Sequence, residues 1–385
     1  VNNLVSRQPI IFVWENFGPL HVDRCEALAR DIPETPVIGL EILSRSSDYD
    51  WVSESGKSFR KITLSSPEEN NAWSSWKIIS AIASRRPQAV FFCHYQRPEI
   101  LVAAFMVRAL GIKIFTMNDS KFDDYTRDLW REAIKTLFLL PYQGALAASQ
   151  RSADYLRFLG IQRSNIALGY DAVSVSRIRH LANSAPAPGG ENFANRHFTI
   201  VARLIPKKNI ALALRALAIL ASANKPRRLV ICGSGPLENE LKALSQDLGI
   251  SNLVEFKGFV QTEEVCRTLA TSLALILPST EEQFGQVIPE ALSMGVPVLV
   301  SDNCGARDHL VRTGINGFVF EPSNAEGLAF FMHLLSSSET TWTEMARAAT
   351  ESAVLGDVGD FVNGVKQLLG AVSTQPEAQS KLSGS

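Results

Sequence analysis

"LALILPSTEEQFGQVIPEALSMGVPVLVSD", residues 273 to 302, reads as a strand, a turn, a helix and a second strand. The apolar runs LALIL and VPVLV are short enough for buried strands, and the segment between them has helical spacing, which together make a βαβ unit. Such a unit lays its strands parallel and holds ligands outside their carboxyl ends. The turn carries Glu282 and Gly285, and seven residues separate Glu282 from a second glutamate, Glu290.

The same rhythm extends in both directions. Upstream, IIFVW (10–14), AVFFCHY (89–95), KIFTM (113–117) and GALAAS (144–149) alternate with helical patterns. Closer in, HFTIVARL, RLVICGSG and LVEFKGFV each precede a helical stretch. Between the two series lies HLANSAPAPGGENFANRH (180–197), rich in Ala, Pro, Gly and Asn and without apolar periodicity, which predicts an interdomain linker. The expectation is α/β: two Rossmann-like doubly wound domains, over 1–185 and 186–355, with a polar, disordered tail over 373–385.

Composition bounds the function. Hydrophobic residues make up 46% and charged residues 20% of the 385, with a formal net charge of −1. That balance suits a large core and lacks the basic footprint of general nucleic-acid binding. The five cysteines form no CxxC pair, so they read as reduced packing residues of a cytoplasmic protein. No apolar run reaches the ~18 residues of a membrane span, and VNNLVSRQPI lacks a signal peptide's apolar core.

The turns of the second half carry a coherent chemistry. Arg203 and Lys208 follow one strand; a guanidinium and an ammonium there suit the oxygens of a diphosphate. Gly233 and Gly235, in GSGP, let main chain approach a ligand closely. A helix starting near Phe284 offers N–H groups to an anion, with Gly285 leaving the approach open. If residues 282–290 are mostly helical, eight steps of about 1.5 Å separate the glutamates by roughly 12 Å. Carboxylate pairs that hydrolyse glycosides lie roughly 5–9.5 Å apart. Two hydroxyl acceptors at the ends of an elongated ligand with an anionic middle fit better, and a nucleoside-diphosphate sugar has that layout.

PSTEEQFGQVIPEALSMGVPVLVSDNCGARDHLV resembles the signature region of retaining glycosyltransferases of the GT-B fold, the large family 4 group, with its E-x7-E motif. VARLIPKKN resembles that group's arginine-to-lysine diphosphate motif and CGSGP its glycine turn. The resemblance implies the GT-B fold, two Rossmann-like domains facing each other across a cleft, with a helix over 356–372 crossing back to the N-terminal, acceptor domain. It implies that Glu282 meets donor-sugar hydroxyls, Glu290 the ribose, and Arg203 and Lys208 the leaving diphosphate. Amides near Phe284, Gly285, Gln286 and Val287 would bind phosphates, and Gly258, Phe259 and Val260 would line the base pocket. Gly18 and His21 sit where the family has an acceptor or phosphate loop. Asn118 stands where a histidine is frequent near the transferred sugar, and cannot titrate. Asp308 stands where a glutamate is usual. His94, at another strand end, reads equally as structural.

The implied reaction is metal-independent transfer, with retention, from a UDP- or GDP-linked sugar to a glycan or lipid-linked acceptor, without a cofactor. No DxD motif stands at a strand end. The mix of Arg131 and Lys135 with an apolar cluster in REAIKTLFLLPYQGA (131–145) raises peripheral membrane contact beside the reading as a buried helix. A sugar-nucleotide 2-epimerase, or an inactive homologue serving as a subunit, is the alternative. A dinucleotide oxidoreductase would need G-x-G-x-x-G after the first strand, which ENFGPLHVDR lacks.

Overall fold

The computed structural model describes residues 8–44, 56–65, 74–222 and 227–373; the tail expected over 373–385 lies outside the described residues from position 374. The chain divides into two compact units. Of the described residues, the first takes those up to Phe122, Thr126–Ala172 and those from Val358 on; the second takes those of Val173–Asp357 and the short stretch Asp123–Tyr125.

In the first unit the described strands are β1 (Ile10–Trp14), β2 (Val37–Leu43), β3 (Arg60–Ser65), β4 (Ala89–Phe92), β5 (Lys113–Asn118), β6 (Gly144–Ala147) and β7 (Ile166–Leu168). They form one parallel sheet in the order β3-β2-β1-β4-β5-β6-β7. The helices are α1 (Pro19–Asp31), α2 (Ser74–Ala83), α3 (Pro98–Ala109), α4 (Leu129–Leu139) and α5 (Gln150–Phe158). Parallel strands covered on both faces read as unbroken apolar runs, and β1 is buried at every position.

Alternation along the strands separates two faces. Phe12, Phe91 and Phe115 are directly opposed in the register of β1, β4 and β5. Their rings stack at 4.9 and 4.8 Å, and Phe361 of the C-terminal helix (Val358–Ser373) lies 5.3 Å from Phe12. The opposite face pairs Ile11, Val90 and Ile114 with Ile78 of α2, Val107 of α3 and Leu156 of α5. Right-handed crossovers place α3, α4 and α5 on this second face together.

The second unit repeats the plan. Its strands are β8 (His197–Val201), β9 (Leu229–Cys232), β10 (Val254–Gly258), β11 (Ser272–Leu277), β12 (Val298–Ser301) and β13 (Gly317–Phe320), parallel in the order β10-β9-β8-β11-β12-β13. Its helices are α6 (Val175–Ala182), α7 (Ile210–Ser222), α8 (Glu238–Asp247), α9 (Thr262–Ala270), α10 (Val287–Ser293), α11 (Arg307–Leu310), α12 (Ala325–Ser337) and α13 (Glu339–Ser352). Strand order reverses between β1 and β4 in one sheet and between β8 and β11 in the other, the positions where open α/β sheets hold ligands.

The boundary differs from the expected segment 180–197. Val173 N–H donates to the Gly356 carbonyl (2.9 Å), Arg179 Nε to the Ser293 carbonyl (2.9 Å) and Ala187 N–H to the Met294 carbonyl (2.8 Å). These bonds bind α6 and the Ala/Pro-rich stretch into the second unit, so the division falls at Ala172/Val173. Its small residues serve close packing: Ala187 is buried.

Candidate active site

The second unit builds its site at the β8/β11 reversal. After β8, Leu204 plunges into the core while Arg203 beside it stays exposed. A 3-10 turn, Pro206–Lys208, follows and ends at Asn209 with φ 50°. The Asn209 amide donates to the carbonyls of Pro278 (3.1 Å) and Pro322 (2.8 Å), and Thr280 N–H donates to the Lys207 carbonyl (2.8 Å). These bonds lash the loop after β8 to the loop after β11.

The lashing brings Lys208 and Glu282 together: Nζ lies 2.5 Å from Oε2, with both side chains largely shielded. Ser279 Oγ donates to the same oxygen at 2.9 Å. Behind the carboxylate, Gly305 N–H donates to the Glu282 carbonyl (3.1 Å) and Ala306 N–H to that of Phe284 (2.9 Å). Burial, and next the nearby Glu282 carboxylate, push the Cys304 thiol up to about 12, so it stays neutral.

The turn itself differs from its expected form. The helix α10 begins at Val287, not near Phe284, and residues 281–286 are irregular. The helical-rise estimate of the Glu282–Glu290 separation therefore does not hold, because only its second half is helical. Phe284 is buried in the core, and Gly285 takes φ 100° against Ile288 and Leu277. Among the described residues the main-chain N–H groups of Phe284, Gly285 and Gln286 have no acceptor, and the Gln286 Oε1, itself buried, has no donor. Glu290, half-buried, sits one turn into α10.

Gly233 and Gly235 serve the chain before any ligand. A Cβ on Gly233 would stand 1.9 Å from the Ala202 carbonyl oxygen, and one on Gly235 2.5 Å from that of Leu204; both take positive φ. Gly258 closes β10 and accepts the Gly233 N–H at 2.7 Å. Phe259 is 45% exposed, which rules out core packing as its role, and Val260 is half-buried. Asp308 pairs with Arg307 at 3.2 Å.

In the first unit, Gly18 caps α1, its N–H donating to His21 Nδ1 at 2.9 Å. Since Nδ1 accepts, the neutral ring carries its proton on Nε2. Burial first, then Arg24 and His94, holds the His21 pKa well below 6.5. His94 ends β4's turn with φ 57°; Cys93 chiefly, with Glu15 and Asp119, pushes it up to about 9. Gly18, His21 and His94 thus flank the β1/β4 reversal. Asn118 ends β5, buried, its amide donating to the Ser120 carbonyl at 3.1 Å.

Sequence reading missed Ser279 and Asn209. Asn209 had a signal, since Asn favours the left-handed residue that ends a turn; Ser279 had none. Among the described residues, no three His, Cys, Asp or Glu side chains gather as ligands for a metal ion.

The family model for "Glycosyl transferases group 1" matches residues 187–353. The match lies within the second unit and makes residues 187–353 similar to a glycosyltransferase group 1 domain. The WcaL protein of Salmonella typhimurium, named as a colanic acid biosynthesis glycosyltransferase, is 29% identical over 267 residues, covering 66% of this chain and 63% of that protein. An uncharacterized glycosyltransferase of Methanocaldococcus jannaschii is 32% identical over 130 residues, 34% of this chain and 33% of that protein. The chain thus spans less than two thirds of the length of these curated relatives. Among solved structures, a glycosyltransferase from Rickettsia africae superposes with a TM-score of 0.72 at 16% identity, covering 96% of this chain and 100% of that one. Anabaena HepE in complex with UDP gives 0.69 at 17% identity, over 94% of this chain and 100% of that one. At those identities the likeness shows the fold, which is GT-B.

Proposed function

We propose that this chain is a retaining glycosyltransferase, moving a sugar from a nucleoside-diphosphate sugar to an acceptor hydroxyl in polysaccharide or glycoconjugate assembly. The observation that carries the reading is the Lys208–Glu282 pair beside three unpaired N–H groups at Phe284, Gly285 and Gln286. Main-chain donors without an internal partner are open to an acceptor, and a diphosphate supplies several oxygens at once. The donor is UDP- or GDP-linked; HepE, whose structure holds UDP, shares the fold.

Arg203 and Lys208 neutralise the departing diphosphate and Glu282 holds sugar hydroxyls. Glu290 takes the ribose, while Gly233, Gly235, Gly258, Phe259, Val260 and Val287 shape the nucleotide's bed. Gly18, His21 and Asn118 serve the acceptor side. The acceptor oxygen forms its bond to the anomeric carbon on the face from which the diphosphate leaves, and its proton passes to a leaving phosphate oxygen. Catalysis is then positioning plus stabilisation of growing negative charge, which the two cations supply without a metal ion or cofactor. We place the reaction at the cytoplasmic face of a membrane, on a glycan or lipid-linked acceptor. We take the contact to be peripheral; among the described residues no helix is long and apolar enough to cross a membrane.

A thermal-shift panel of nucleoside diphosphates and their sugars tests the reading, because a ligand at 100 times its Kd adds ~2.7 kcal/mol. Calorimetry then separates the glutamates: Glu290→Gln weakens diphosphate and donor alike, whereas Glu282→Gln spares the diphosphate and lowers transfer. Equal loss of diphosphate affinity in both variants overturns these roles. Conversion of a sugar nucleotide without acceptor would mark an epimerase instead.

A further inference from the structure

The helix α4 is inside out. Trp130, Ile134 and Leu137, spaced i, i+4, i+7, face solvent, Trp130 at 60% exposure. Glu132 and Lys135, on the opposite side, are buried, Glu132 at 2%. Surface helices ordinarily show the reverse.

The burial of charge is satisfied in full view of the structure. Glu132 Oε1 accepts from Lys135 Nζ (2.7 Å) and from Arg127 (3.3 Å), and its Oε2 accepts from the Tyr155 hydroxyl (2.5 Å). The Arg127 guanidinium lies 4.1 Å over the Tyr155 ring. Rolling the helix to hide its apolar side chains would carry Glu132 and Lys135 out to solvent and leave the buried Arg127 guanidinium and Tyr155 hydroxyl without their carboxylate, the costly loss of one partner of a buried pair. The apolar face is therefore fixed outward. Neighbours extend it: Phe105 and Met106 of α3 are exposed, and so is Phe158, edge-on to Phe122 at 5.2 Å.

Charge tells what covers it. Arg108, Arg157 and Arg163 have no carboxylate partner among the described residues, while the exposed Asp128 is paired with Arg131 and Asp154, bonded only to the neutral Gln150 amide, keeps its charge, so the cations outnumber the free carboxylate three to one. Arg108 borders a cavity of about 360 Å³ with Leu140 at the end of α4 and Gly160, Gln162 and Asn165 beyond α5. Arg163 lies between the last two in sequence, and Arg157 precedes the exposed Phe158. An apolar stripe with an exposed tryptophan, bordered by unneutralised arginines, is complementary to the acyl edge and phosphates of an anionic bilayer.

We infer that the outer face of α4, with Arg108, Arg157 and Arg163, is the surface by which this protein lies on anionic phospholipid. The inference deepens, and rests on, the peripheral contact proposed above. The test is flotation of the full chain with vesicles of phosphatidylcholine alone, or mixed with phosphatidylglycerol. Binding is expected to the mixed vesicles only, and to fall in high salt. Leu137→Asp should abolish it. The triple variant R108Q/R157Q/R163Q should weaken it about 100-fold, at about fivefold per arginine. All four positions are exposed, and an unchanged circular dichroism spectrum with unchanged thermal midpoint certifies the fold. If the wild type floats and both variants float equally well, α4 is the wrong surface although membrane contact stands. If the wild type does not float on the mixed vesicles, membrane contact itself falls. Self-association that Leu137→Asp abolishes, without flotation, would make this face an interface between copies and overturn the inference.

Discussion

Lys208 and Glu282 were assigned from sequence to different parts of one ligand, yet they touch. Their contact makes the two roles interdependent. Truncating Lys208 leaves a shielded carboxylate with the Ser279 hydroxyl alone; removing both charges spares that penalty. A double-mutant cycle of Lys208→Ala and Glu282→Gln should therefore be non-additive in stability by about 0.5–3 kcal/mol, measured by denaturant titration without ligand. Additivity would mean that the pair does not hold together in solution. What sequence showed at this scale was residue type and strand-end position. It could not show the pairing, because that depends on Asn209 drawing two loops together across the sheet.

The first unit offers a second test among single side chains. His21 is kept neutral by burial, whereas Cys93, Glu15 and Asp119 favour the charged form of His94. In a pH titration followed by NMR, the His21 ring should titrate well below 6.5 and the His94 ring near 9. The sign for stability follows. The unfolded chain takes up the His21 proton at 6.5 and the folded one only lower, so stability is full above 6.5 and falls as pH drops through that window. His94 contributes the opposite slope, with stability present below 6.5 and lost between 6.5 and about 9. A His21→Gln chain should lose the acid-side slope; its persistence would place the shift on another group.

At the scale of elements, strands were read well because parallel, doubly covered strands are continuous apolar runs; β11, buried throughout, is an example. Turns were read less well. A glycine in a strand-end turn signals close approach without saying to what, and Gly233 approaches the Ala202 carbonyl. Gly233→Ala should cost about 2 kcal/mol or more, combining positive φ with a backbone collision. Gly249→Ala is the control: it shares positive φ but has open space around it, and should cost about 1–2 kcal/mol. Denaturant midpoints that rank the two equally would remove the collision from the account. The start of α10 shifted from Phe284 to Val287 for a related reason. Gly285 at φ 100° cannot belong to a helix, and no pattern of apolar residues encodes that angle.

For the whole molecule, the alternating pattern predicts two sheets, and two sheets are present. It does not predict their strand orders, since crossover distance leaves no mark in composition. Nor could it separate a linker from a packed segment of small residues, as 180–197 shows. The C-terminal helix is the instructive case: Phe361 closes a row of stacked phenylalanines on β1, β4 and β5. Phe361→Ala should cost the first unit about 3–5 kcal/mol. Hydrogen exchange should show that loss in β1 and β4 while β8 and β11 keep their protection. Equal loss in both sheets would mean that the units do not unfold separately.

The last stretch of the first unit follows the rest of it only after the 185 residues of Val173–Asp357. A ribosome adding roughly 5–20 residues per second needs about 10–40 s to cross that interval. Throughout it, the phenylalanine row of the nascent N-terminal sheet waits for Phe361, bare and adhesive. The order of completion is thus inverted: the second unit has its whole chain before the first does, and the uncovered phenylalanine row is in that interval the kind of exposed apolar surface that favours aggregation.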